Sequence, residues 1–389
     1  MPMQVVYALE KAPERFSKSI FLAGPSPRAD GDLNWRPEAL RLLEEMGYDG
    51  VVFVPLPRIA GNWSPNYDHQ VDWELLHLHM ADVVVFWVPR DKKNLPAFTT
   101  NVEYGIFFDS GKAILGYPPS AEGVRYLAHI GAQEHVPIVG TLEETLRLAV
   151  ERVGVGALRV GGERMVPLHI WTLPHFQQWF VAQKAAGNRL DGARVLWTSR
   201  PSAKRTIFSY ALWVDVYIAS EGRNKTNEFV IGRPDIATII AYHKRATQMD
   251  TDIVLIREFR SPARTSDGFI HEVPGCSSWA TSEDPFVTAA HELQEETGFA
   301  IDPSRLRKVG DRQLCGTLSA HQAHVFACEI TEDELVSLQR EQVSGASHGV
   351  TADTERTYVE VHRLGDLLIP SSNVVDWSML GMILTAVNE

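Results

Sequence analysis

The chain has 389 residues, of which 44% are hydrophobic and 22% charged, and a formal net charge of −12. That length exceeds what one core organises and points to two or three domains. The acidic balance argues against a general binder of nucleic acid or anionic membrane, because no excess positive field is available to neutralise phosphates.

Three cysteines, Cys276, Cys315 and Cys328, lack Cys-any-any-Cys spacing. A disulfide framework is not expected, and a reducing cytoplasm is the expected location. The charged opening MPMQVVYALEKAPERF reads as no signal peptide. No window approaches the ~20 apolar residues of a membrane span.

In chain order, the apolar runs at 19–23, 50–54, 83–88, 112–116 and 136–139 read as strands buried on both faces. Helical patterns lie between them at 35–47, 71–82, 100–111 and 121–131. A further helix at 141–154 opens on a Thr141–Glu144 capping box. This alternation predicts an α/β domain over 1–155: a doubly wound parallel sheet of five strands, flavodoxin- or Rossmann-like, with ligands outside the carboxyl ends of the strands. The Gly-rich run at 154–167 and a helix at 173–190 read as a linker and connecting helix over 156–200. From 201 to 389 the pattern becomes α+β: antiparallel strands at 206–220, 228–232, 237–243 and 251–259, a helix at 285–297, strands at 323–330 and 356–364, and a last helix at 376–388.

The helix at 285–297 crowds Glu292, Glu295 and Glu296 into about one turn. Residues three and four apart share a face, so these carboxylates repel unless a cation sits among them. Hard oxygen donors of this kind suit Mg²⁺ or Mn²⁺ and the cleavage of a phosphoanhydride. The stretch EDPFVTAAHELQEETGF (283–299) resembles the Nudix box, with Glu283 and, after seven intervening residues, His291-Glu292-Leu293-Gln294-Glu295-Glu296-Thr297-Gly298-Phe299. It departs from the family pattern in two places. His291 replaces the arginine that braces the helix, and seven residues rather than five separate Gly275 from Glu283. The resemblance implies a sandwich-type Nudix hydrolase domain with Glu295 and Glu296 as central metal ligands and Glu292 beside them. VLIREFRSP and HEVPG look like the ADP-ribose-type branch, which implies Arg260 and Glu272 as substrate contacts and Glu355 as a possible base.

In the first domain, Glu103 falls near the start of a helix at the carboxyl edge of the sheet. There the helix dipole is expected to keep it ionised, as a nucleophile toward an anomeric carbon requires. The stretches IFLAGPSPR, QVDWE, ADVVVFWVPRD, PAFTTNVEYG and GKAILGYP, spanning about Ser19 to Leu148, are similar to the nucleoside 2-deoxyribosyltransferase family. The resemblance implies Glu103 as nucleophile and Glu74 as a substrate-binding acid. Gly24 and Arg28 follow the first strand, where a turn can cradle a phosphate. Thr99, Thr100 and Asn101 stand where the family has an aspartate. Thr100 and Asn101 are expected to contact substrate, and Arg28, Arg36 and Arg90 hint that it is phosphorylated. Tyr67, Trp73 and Trp87 are candidates for stacking on a base, although aromatics here are more often core. Asp82 reads as structural.

Together these features predict a bifunctional enzyme of nucleotide metabolism acting on small nucleosides or nucleotides. One site cleaves or transfers at the N-glycosidic bond, and the other hydrolyses an ADP-ribose-like diphosphate with Mg²⁺. A homo-oligomer is expected. The alternatives are an NAD-consuming enzyme and a nucleotide sensor with reduced catalysis.

Overall fold

The computed structural model describes residues 2–27, 33–63, 65–200, 206–277, 284–350, 354–369 and 375–388. It divides into two compact units, Met1–Ile231 and Gly232–Glu389. No helix among the described residues is long and apolar enough to cross a membrane.

The first unit is built on a parallel sheet of six strands, one more than the apolar runs predict. Their spatial order is Gln4–Tyr7, Val51–Val54, Ser19–Ala23, Val83–Trp87, Ala113–Gly116 and Ile138–Val139. Every pairing is parallel. The added strand, Gln4–Tyr7, lies at the edge and buries only Val6; its apolar run, Val5 to Leu9, falls in the opening segment, outside the predicted elements. Ser19–Ala23, Val51–Val54 and Val83–Trp87 are buried at every position, as a sheet covered on both faces demands.

Two cores result. Trp73, Leu78, Tyr104, Phe107 and Leu127, from the helices Tyr67–Met80, Phe98–Phe107 and Arg125–Gln133, pack on one face. Ala39, Leu43, Leu146 and Ala149, from Arg36–Glu45 and Leu142–Val153, pack on the other. The Thr141 hydroxyl accepts from the Glu144 amide at 3.2 Å, which is the N-cap half of the predicted capping box. Ser19–Ala23 and Val83–Trp87 are neighbours, and the chain winds outward from them in opposite directions. The switch point of the sheet therefore lies between their carboxyl ends, where a crevice opens in such folds.

The unit continues beyond 155. The helix Pro174–Ala185 buries Phe176 and Phe180. A three-stranded sheet orders Arg223–Gly232, Ser209–Ile218 and Arg189–Ser199, the last two antiparallel. Arg189–Ser199 is part-exposed and breaks its apolar residues with Arg189, Asp191, Gly192 and Arg194, and it falls in the stretch read as a linker.

The second unit is a mixed sheet with helices on both faces. Its main path runs Arg307–Gln313, Gln322–Glu329, Ile236–His243, Asp252–Phe259, Thr357–Arg363 and Ser347–His348. Phe269–Glu272 pairs with Asp252–Phe259, and Gly275–Ser277 pairs with Ile236–His243. Ile236–His243 and Gln322–Glu329 run parallel within an otherwise antiparallel sheet. Helix Pro285–Thr297 packs Ala289, Ala290 and Leu293 on one face, and helix Trp377–Asn388 packs Met382, Ile383 and Ala386 on the other. Helix Glu332–Ser344, capped by Thr331 and Glu334, lies outside the elements that the apolar pattern predicts, because most of its residues are polar.

Candidate functional site

At the switch point of the parallel sheet lies a cavity of about 350 Å³. Its walls come from the turn after Ser19–Ala23 (Gly24 to Pro27), the loop and helix start after Val83–Trp87 (Leu95 to Thr100), and the helix bearing Gln70 and Glu74. Glu103 completes it. The turn needs glycine at 24: its φ is +151°, and a Cβ there would lie 2.2 Å from the Trp87 carbonyl and 2.8 Å from the Trp35 ring. Ala97, just before the Glu103 helix, is left-handed at φ 57°, ψ 44°, a conformation uncommon for a residue with a side chain.

Glu103 is 8% exposed. Burial, then the neighbouring Glu74 charge, push its carboxyl up to about 8, against the opposing pull of Arg36. The expectation of an ionised side chain held by the helix dipole is therefore overturned. Glu103 sits in the second turn of the helix, beyond the reach of the terminal dipole, and desolvation outweighs what remains. Burial also raises Glu74, partly offset by a hydrogen bond from Gln70 at 2.7 Å and by Arg36.

Arg36 is the positive charge behind both acids. It is 1% exposed and spends its donors on backbone carbonyls: Leu22 at 3.2 Å, Pro25 at 3.2 Å and Gly24 at 2.8 Å. Burial pulls its guanidinium down to about 10, with Glu103 and Glu74 opposing. Arg36 therefore braces the turn and balances the acids instead of presenting donors to a phosphate. Arg90 donates to the Gly123 carbonyl at 2.8 Å and to the Asn101 side chain, and it does not line the cavity. Arg28 lies outside the described residues.

Of the residues read as a substrate site here, Gly24, Glu74, Thr100 and Glu103 meet at the cavity. Asn101 is exposed and turned to Arg90. Trp73 and Trp87 are core residues, with Trp73 donating to the Glu10 carbonyl at 2.8 Å. Tyr67 does line the cavity, joined by Trp63 and Phe98; all three are largely exposed. Trp63, Gln70 and Phe98 were missed in the sequence, where nothing local marks a polar or aromatic residue as facing a crevice built by distant strands. Asp82 is structural. Its carboxylate takes two bonds of 2.7 Å from buried Arg159 and further bonds from the Ser19 and Leu168 amides.

Residues 17–121 match the family model described as Nucleoside 2-deoxyribosyltransferase like. The chain carries a nucleoside 2-deoxyribosyltransferase-like domain. This domain contains every wall of the cavity, from Gly24 to Glu103. The match stops before the helix Arg125–Gln133 and does not reach the second unit. A comparison of the whole chain with curated proteins found no match.

In the second unit, helix Pro285–Thr297 begins with the Asp284 side chain accepting from the Phe286 amide at 3.0 Å and ends at left-handed Gly298. Its glutamates differ in setting. Glu296 is 2% exposed and accepts from the Gly275 amide at 2.9 Å; burial first, then Glu292, Glu355 and Glu272, hold its carboxyl well above the usual range. Glu292 is half-buried and raised by burial, with a bond from the Cys276 thiol opposing and Glu295 and Glu355 adding. Glu295 is exposed. Arg260 bridges Glu272 at 2.7 Å and Glu258 at 2.8 Å, and those two charges with Glu296 raise it against burial. Glu258, Glu272, Glu292, Glu295, Glu296 and Glu355 thus surround one region with Arg260 as a counter-charge. Among the described residues, no three of these carboxylates form a group whose oxygens lie within 4.8 Å of one another. His291 is exposed. Glu283, the first acid of the sequence pattern, lies outside the described residues.

Proposed function

We propose that this chain is a two-activity enzyme of nucleotide metabolism whose first unit cleaves or transfers at the N-glycosidic bond of a nucleoside or nucleotide. The observation that carries this reading is that Glu103 and Glu74 share a cavity at the switch point of a nucleoside 2-deoxyribosyltransferase-like domain. Trp63, Tyr67 and Phe98 offer faces for a base. Thr100 and Gln70 offer a hydroxyl and an amide for polar groups. Glu103 attacks the anomeric carbon, the C–N bond breaks, and its electron pair leaves with the base. The base needs a proton and Glu103 must first lose one, so a proton passed from the Glu103–Glu74 pair to the departing nitrogen meets both needs. Water or a second base then releases the sugar.

The second unit, on this proposal, is a Nudix-type hydrolase of a nucleoside-diphosphate-linked substrate such as ADP-ribose. The crowded carboxylates on and beside helix Pro285–Thr297 support it. Glu292, Glu295 and Glu296 would hold Mg²⁺ or Mn²⁺, and Arg260 and Glu272 would orient the substrate. The cation, when bound, neutralises diphosphate charge and acidifies a water. The two activities are consecutive. Either the hydrolase releases a nucleoside monophosphate for the first site, or the first site splits NAD and passes ADP-ribose to the second. A homo-oligomer is part of the proposal, supported by the exposed stripe Phe98, Val102 and Ile106 along the Glu103 helix.

The test is mass-spectrometric product analysis of the full chain against NAD, ADP-ribose, nucleotides and nucleosides, with and without Mg²⁺. Free base that disappears in Glu103→Gln supports the first activity. Base release that persists in that variant overturns the nucleophile assignment. An absence of all products favours a sensor, a reading supported by the raised Glu103 and the unbraced, exposed His291.

A further inference from the structure

On the face of the second sheet opposite helix Pro285–Thr297, three side chains converge that neither proposed reaction uses. Along the strand Thr357–Arg363, Val359 and Val361 pack toward the core that contains Leu293 of that helix, so Glu360 and His362 alternate to the other face. Their pairing partners on Asp252–Phe259, Leu255 and Ile253, belong to the core under helix Trp377–Asn388. His271 comes from Phe269–Glu272, which flanks Asp252–Phe259 on the other side.

The Nε2 atoms of His271 and His362 approach the same oxygen, Oε2 of Glu360, at 2.8 Å and 2.9 Å. The rings stand nearly perpendicular, at 83° with centroids 5.2 Å apart. The three donor atoms lie within 4.8 Å of one another, and all three residues are part-buried. The other carboxylate oxygen lies 4.0 Å from Arg257 Nε. Arg257 is itself fixed by stacking on Phe269 at 4.0 Å and pairing with Asp267 at 2.9 Å.

We infer that His271, Glu360 and His362 form a binding site for a divalent transition metal, Zn²⁺ or a borderline ion of similar preference. The donor set decides the class of ion. Two neutral imidazole nitrogens and one carboxylate oxygen suit zinc, cobalt, nickel or copper, whereas Mg²⁺ and Ca²⁺ prefer all-oxygen shells. One oxygen facing two imidazole nitrogens is held at present by protons on both. A metal at the two Nε2 atoms requires each ring's proton to move to Nδ1, which keeps both imidazoles neutral, and its bonds of about 2.0–2.1 Å would separate the donors by roughly 3.3 Å, a small opening of the two short contacts. Three protein donors leave a fourth position for water or a ligand. Arg257 beside Oε1 leaves Oε2 as the metal-facing oxygen. This site stands apart from Glu292, Glu295 and Glu296 and does not depend on either proposed reaction.

The test uses the full chain, stripped of metal and then titrated with CoCl₂ in excess MgCl₂, which occupies an oxygen-donor site. One equivalent of Co²⁺ should bind with visible d–d absorption. The double substitution His271→Ala with His362→Ala should weaken it at least about 100-fold, beyond what loss of an outer-sphere partner costs. Glu295→Gln should leave it unchanged. X-ray absorption of the unsubstituted protein with one equivalent of zinc needs no variant, and it should show imidazole scattering around the metal. No binding in excess Mg²⁺, binding insensitive to the double substitution, or a shell of oxygen alone would each overturn the assignment.

Discussion

Glu103 and Glu74 line one cavity, and the Glu74 charge adds to burial in pushing the Glu103 carboxyl up to about 8. The proposed mechanism draws the proton for the departing nitrogen from the Glu103–Glu74 pair, so base release by the unsubstituted protein should fall as pH rises through about 8 in kcat/KM, which reports the free enzyme. Glu74→Gln removes the like charge, and the falling limb should move to lower pH even if maximal activity falls. Rates of base release across a pH series check this. A limb that does not move would mean that burial alone sets the proton affinity of Glu103.

The same shift bears on stability. The folded chain holds a proton on Glu103 between the ordinary carboxylate value of 4.5 and about 8, where the unfolded chain has lost it. Stability therefore falls as pH rises through that window. Glu103→Gln should flatten this slope in urea melts while lowering base release by about 10³-fold.

Glu296 is buried among like charges. Glu296→Gln keeps a side-chain oxygen for the Gly275 amide but removes the charge. In chelator, the variant should melt at a higher temperature than the parent. Mg²⁺ should raise the melting temperature of the parent, through binding to the folded state, but not that of the variant. Divalent-dependent diphosphate hydrolysis should fall by at least about 10²-fold. Calorimetry and phosphate release read these outcomes.

Asp82 and Arg159 form a bidentate pair with both side chains nearly inaccessible. Arg159→Met leaves a buried carboxylate without its counter-charge and should cost about 3–5 kcal/mol in chemical denaturation. Replacing Asp82 as well, by leucine, should recover much of that loss.

Gly24→Ala puts a methyl against the Trp87 carbonyl and the Trp35 ring, at a φ that alanine disfavours. The Gly24–Pro27 wall should shift, raising KM for the first activity. The diphosphate hydrolysis of the second unit should be unchanged.

The central strands of the first unit were legible because each is a short apolar run between polar turns, and burial on both faces leaves no other pattern. The edge strands Gln4–Tyr7 and Arg189–Ser199 are only partly buried, and what makes them strands is pairing with a neighbour, which no local pattern states. The ends of helix Pro285–Thr297 were legible because Asp284, Pro285 and Gly298 act locally, through a cap, a fixed φ and a left-handed turn. The crowding of its glutamates follows from helical spacing alone.

Sequence by itself determined that Glu103 follows a strand of a parallel sheet and that three glutamates share a helix face, because both are matters of short-range spacing. Only the tertiary structure decided what those carboxyls experience. Desolvation and the field of Glu74 and Arg36 come from segments about thirty or more positions away in the chain, and they outweigh the local helix dipole. The same holds for His271, Glu360 and His362, which share no sequence motif and meet because two strands flank a third.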